Sequence, residues 1–137
     1  MKKGGTIVAK TAPQEQTSPL RIYTDGSGSR PDGKGSGFAW LCPDTHEMKI
    51  VREDGLTNNQ AEYRAILAAV EALPTGAKRQ ILTDSENTCF QLKGKRRVLD
   101  PHLADLNARI GALITKHRLT IEFTWIPRGE NLAGKLL

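Results

Sequence analysis

A chain of 137 residues is the length of one domain, long enough to bury a core without disulfides or a structural metal. Lysine and arginine total 20 against 15 aspartates and glutamates, a formal net charge of +5 with an isoelectric point near 9.4, which favours an anionic partner such as nucleic acid. No stretch is apolar for long enough to span a membrane, Met1-Lys2-Lys3 runs into a Gly4-to-Ala9 segment too short and broken for a signal peptide, and two cysteines read as reduced thiols suit a reducing cytoplasm.

Residues 1–19 mix Lys, Thr, Gln, Ser and proline without periodicity and read as a flexible tail, with one domain over 20–137. Leu20 to Thr24 reads as a strand ending at Asp25-Gly26-Ser27-Gly28. The glycine-rich stretch from Gly33 to Gly37 turns into a second strand, Phe38 to Leu41, and Pro43-Asp44 turns into a third, Met48 to Val51. Helical periodicity follows from Asn58 to Leu73, with Ala61, Ala65, Leu67, Ala68 and Ala72 available for an apolar face and Pro74 as the stop.

Arg79 to Thr83 reads as a buried strand, and Ser85 can cap a short helix reaching Leu92. Pro101 opens a longer helix in which Leu103, Leu106, Ile110, Leu113 and Ile114 recur at three and four. Leu119 to Trp125 alternates as a last strand, and Glu130 to Leu137 is expected to form a terminal helix of about two turns. The order βββαβααβα describes an α/β fold, a mixed five-stranded sheet flanked by helices. Cys42 and Cys89 lie in no metal-type spacing and are expected to be buried, reduced thiols; Trp40 and Trp125, both in strand patterns, are expected to pack in or near the core.

Asp25 stands at a strand end, Glu62 one turn into a helix and Asp84 at the next strand end, so three carboxylates could converge above one edge of the sheet. Clustered carboxylates repel one another when empty and suit hard divalent cations such as Mg²⁺. Singly, each residue also has an ordinary structural reading: a turn aspartate, an exposed helix glutamate and a helix cap.

The segments Tyr23-Thr24-Asp25-Gly26-Ser27, Thr57-Asn58-Asn59-Gln60-Ala61-Glu62-Tyr63 and Leu82-Thr83-Asp84-Ser85 together resemble the ribonuclease H family, type 1, in a compact form without a large basic protrusion. The resemblance implies a ribonuclease H-like fold and an endonuclease that cuts the RNA strand of RNA/DNA hybrids with two Mg²⁺ or Mn²⁺ ions, working as a monomer. It implies that Asp25, Glu62 and Asp84 are metal ligands and that Asn58 and Asn59 read the hybrid's minor groove. It also implies that Thr57 holds a phosphate of the DNA strand and that Gly26 and Ser27 let backbone approach the RNA strand. Ser85 is a cap or a contact. Lys93, Lys95, Arg96 and Arg97 are either a backbone-binding run or a solvated turn.

The family's closing segment carries a fourth carboxylate where this chain reads Arg128-Gly129-Glu130-Asn131-Leu132-Ala133-Gly134, one residue shorter, with Gly134 in the aspartate's place. Three accounts follow: Asn131 or Glu130 supplies the missing ligand, an amide oxygen raising the metal requirement and tilting it toward Mn²⁺; water does so with weaker metal affinity; or the domain binds hybrid or double-stranded RNA without cutting it. Arg128, in the shortened connection, is expected either to touch the scissile phosphate or to be a solvated loop residue. Other phosphoryl-transfer enzymes on the same sheet, exonucleases and strand transferases, are rival readings.

Overall fold

The computed structural model describes residues 19–137. Apart from Pro19, the expected tail lies outside the described residues. Strand β1 (Leu20–Ser27) buries Ile22 and Thr24 on one face and Tyr23 on the other, the period-two alternation of a sheet covered on both sides. It pairs antiparallel with β2 (Gly37–Cys42), which pairs antiparallel with the edge strand β3 (Glu47–Arg52).

Helix α1 (Asn58–Glu71) starts at a capping box: the Thr57 hydroxyl accepts from the Gln60 N–H at 3.1 Å, and the Gln60 side chain accepts from the Thr57 N–H at 3.0 Å. After β4 (Lys78–Thr83) come α2 (Glu86–Leu92), α3 (Pro101–Lys116, capped by Asp100) and β5 (Thr120–Trp125). The sheet order is β3-β2-β1-β4-β5, with β1, β4 and β5 parallel, so the expected mixed five-stranded sheet is present, with the expected element order as far as the last strand.

The main core lies between one sheet face and the helices, joining Ile22, Trp40, Ile81 and Phe123 to Tyr63, Ile66, Val70, Leu103, Leu106 and Ile110. Helix α1 therefore buries more than the predicted stripe: Tyr63, Ile66, Ala69 and Val70 are buried because the helix packs on the sheet and on α3 at once. Tyr63 keeps its hydroxyl satisfied, donating to Gln91 Oε1 at 2.7 Å and accepting from Asn107 Nδ2 at 3.3 Å, which ties the three helices together.

The opposite sheet face holds Tyr23 and Leu82, covered by Ile126 and Ala133 from the C-terminal segment. That segment is not the expected α-helix but two short 3-10 turns, Arg128–Glu130 and Leu132–Leu136. A terminal piece this short gains few i→i−4 bonds, and the tighter turn is the usual alternative. Cys42 and Cys89 are free and buried, as expected, and no helix among the described residues is long and apolar enough to cross a membrane.

Candidate active site

Parallel pairing of β1 with β4 ends on Thr24 opposite Thr83, so the next residues, Asp25 and Asp84, leave adjacent strands side by side at their carboxyl ends. The Thr24 hydroxyl donates to the Leu82 carbonyl at 3.1 Å across the same pair. Glu62 arrives from α1, and Gly26 makes its approach possible: a Cβ there would lie 2.2 Å from the Ala61 carbonyl carbon and 2.5 Å from the Glu62 nitrogen. With no side chain in the way, the Gly26 N–H donates to Glu62 Oε1 at 3.0 Å. One ligand oxygen from each of Asp25, Glu62 and Asp84 lies within 4.8 Å of the others.

The crowding shows in the acid strengths. Burial, then the charges of Asp25 and Asp84, raise Glu62 to about 9, against the Gly26 N–H and Arg128, which lower it. Burial and then Asp84 raise Asp25 to about 6, opposed by the same two groups. At neutral pH burial and the neighbouring carboxylates therefore favour the protonated form of Glu62. An all-oxygen donor set of carboxylates fits Mg²⁺ or Mn²⁺ and has no nitrogen or sulfur ligand to favour a softer metal.

The carboxylates floor an open cleft of about 740 Å³, whose walls include Gly26, Ser27, Asn58, Asn59, Ser85, Arg128 and Asn131. Asn58 and Asn59 occupy the first two helical positions, since Thr57 is the cap; Asn58 Oδ1 accepts from the Gly28 N–H at 2.7 Å. Ser85 caps α2, its hydroxyl accepting from the Thr88 N–H at 3.3 Å, and it also lines the cleft. Thr57 is exposed outside the cleft lining, with its hydroxyl in the capping box. Gly26 lines the cleft, and its missing Cβ also serves the contact with α1.

Asn131 also needs correcting. Its Nδ2 donates to the Thr24 carbonyl at 2.9 Å and to Asp84 Oδ2 at 3.1 Å, and its Oδ1 accepts from the Ala133 N–H at 3.1 Å. A carbonyl on one side and an N–H on the other fix the amide's orientation, so it turns a donor, not an oxygen ligand, toward the carboxylates. Asn131 is placed to hold Asp84 in position. Glu130 is exposed and outside the cleft lining. Gly134 lies where a fourth carboxylate would be useful: its missing Cβ would stand 3.4 Å from Asp25 Oδ2.

Lys93, Lys95, Arg96 and Arg97 are exposed and outside the cleft lining. Lys93 and Arg96 cover Phe90, at 5.7 and 5.1 Å from its ring centroid. Sequence reasoning missed Lys135, a cleft-lining cation whose one signal was its place beside Gly134. Of the two tryptophans expected to be core or semi-buried, Trp40 is buried and Trp125 is 44% exposed.

The model of the RNase H family matches residues 17–128. The chain belongs to the RNase H family. A bifunctional protein of Mycobacterium tuberculosis is 36% identical over 117 residues, covering 80% of this chain, which spans about a third (32%) of that relative's length. A ribonuclease H of Nitrosococcus oceani is 29% identical over 130 residues, covering 86% of this chain and 87% of the relative. Among solved structures, the compost-metagenome protein LC11-RNase H1 in complex with an RNA/DNA hybrid matches with a TM-score of 0.77 at 28% identity, covering 85% of this chain and 92% of that one. Such neighbours agree with the type 1 branch of the family.

Proposed function

We propose that this chain is a ribonuclease H that hydrolyses the RNA strand of RNA/DNA hybrids endonucleolytically, leaving 5′-phosphate and 3′-hydroxyl ends. The observation that carries the reading is the meeting of Asp25, Glu62 and Asp84 in a cleft that Asn58 and Asn59 also line. The hybrid-bound structural neighbour supports the substrate class.

Asp25, Glu62 and Asp84 would hold the divalent ions, two in the working complex. When bound, the ions supply the positive charge that favours attack of water on the phosphodiester and departure of the 3′-oxygen. The chain's own residues select and orient the strand. With its oxygen taken by Gly28, Asn58 offers its amide N–H groups, and Asn59 offers both donor and acceptor, chemistry suited to the minor-groove base edges and the 2′-hydroxyl that marks RNA. Ser27 and Ser85 line the cleft beside them, and Arg128 and Lys135 are the cleft-lining cations available to a phosphate. Asn131 keeps the Asp84 carboxylate turned toward the other two. Thr57 and the Lys93–Arg97 run contribute contacts to the hybrid's backbone, and the protein acts as a cytoplasmic monomer.

With three carboxylates in place of four, the site binds its divalent ions weakly and needs them at higher concentration. Gly134 favours a second reading, a domain that binds hybrid without cutting it. A panel of labelled RNA/DNA hybrid, duplex DNA and single-stranded RNA, with Mg²⁺ and Mn²⁺ titrated, separates the two. Cleavage confined to the hybrid supports the nuclease; hybrid binding without cleavage under either ion overturns it.

A further inference from the structure

Trp125 ends β5 opposite Thr83, so its strand pair finishes with Asp84 and the indole side by side. The indole N–H donates to the Asp84 carbonyl at 3.2 Å, which fixes the ring, yet 44% of the residue remains exposed. A large aromatic ring left in water beside a candidate metal ligand is not required by the core, since Phe123 and Ile81 already fill the sheet face below it.

Cations stand on the same flank. Helix α2 begins just after Asp84 and packs on β5, and Arg96 donates from Nη1 to Asn87 Oδ1 at 3.2 Å in the helix's first turn. Arg96 and Lys93 are held over Phe90, which keeps their charge against α2 rather than loose in solution. Arg96 is thus tied to the first turn of the helix that begins beside Asp84 and packs on the strand carrying Trp125.

A duplex keeps its bases stacked inside and presents pentose faces and phosphates outside. With its N–H taken by Asp84, Trp125 has only a π-face to offer, and that face suits the apolar side of a pentose. We infer that Trp125 is a binding platform for a backbone sugar of the hybrid, just outside the carboxylate cleft, with Arg96 serving a neighbouring phosphate. The inference rests on the hybrid-nuclease reading and adds to it a contact that tolerates any base sequence.

The chain's two tryptophans make a direct test possible. Trp40→Phe leaves Trp125 as the sole indole and removes a buried N–H that has no hydrogen-bond partner. In the full chain carrying Trp40→Phe and Asp84→Asn, to prevent cleavage, hybrid is titrated with Mg²⁺ while Trp125 emission and the anisotropy of a labelled hybrid are followed together. The emission is expected to change with the same midpoint as the anisotropy. Trp125→Ala should weaken hybrid binding about tenfold, while Trp125→Phe, which keeps a ring, stays within about threefold. Binding seen by anisotropy with unchanged emission, or a folded Trp125→Ala chain with unchanged affinity, overturns the platform and leaves the nuclease reading standing. No binding at all overturns both.

Discussion

Binding of a divalent cation to the metal-free protein at pH 7 should release about one proton. Glu62, at about 9, is almost fully protonated at that pH, and Asp25, at about 6, is protonated roughly a tenth of the time, so the sum is close to 1.1. Both groups are raised, and a cation takes only their ionised forms, so its apparent affinity must grow as pH rises. Between pH 6 and 9 one proton competes, and affinity should climb about tenfold per pH unit; below pH 6 the second proton joins and the slope steepens. Titration calorimetry with Mn²⁺ in two buffers of different ionisation enthalpy reads the proton count, and a pH series reads the slope. Release near zero at pH 7, or affinity flat between about pH 6.5 and 8.5, would refute the electrostatic account of the cluster.

The remaining predictions concern the frame of the site. Gly26→Ala places a methyl 2.2 Å from the Ala61 carbonyl carbon, so α1 must move by about 1 Å or more. Loss of about 1–3 kcal/mol in denaturant unfolding, and about a hundredfold in any hybrid cleavage, should follow; an unchanged midpoint with full activity would show that the close approach is not needed. Gly134→Asp sets a fourth carboxylate beside Asp25 and should tighten Mg²⁺ binding at least about tenfold while narrowing any Mn²⁺ preference, as read by metal titration. Arg128→Ala should weaken hybrid binding and lower its salt slope by about one, measured by anisotropy across a salt series; an unchanged slope would place Arg128 off the phosphate.

Much of this was legible in the sequence because strand ends and helix starts are marked locally. The turn at Asp25-Gly26, the helical periodicity from Asn58 and the Ser85 cap after β4 place Asp25, Glu62 and Asp84 at or near the ends of three elements, and the pairing of β1 with β4 and the packing of α1 on β1 join them. What stayed hidden depends on neighbours distant in sequence. Gly26 looked like a turn or substrate residue because nothing local reveals a helix backbone lying against it. Asn131 looked like a spare oxygen ligand, and only the Thr24 carbonyl, more than a hundred residues away, shows which way its amide must point. Trp125 obeyed the strand pattern, but it lies at the strand's last position, past the edge of the core.

The most direct test of the central claim is single-turnover cleavage of a hybrid labelled on each strand in turn, with Mn²⁺ or Mg²⁺, by the protein and by its Glu62→Gln variant. The account predicts internal cuts in the RNA strand alone, dependent on the cation and lost in the variant. An intact RNA strand at saturating cation with hybrid fully bound, or cutting that survives in Glu62→Gln, would contradict it.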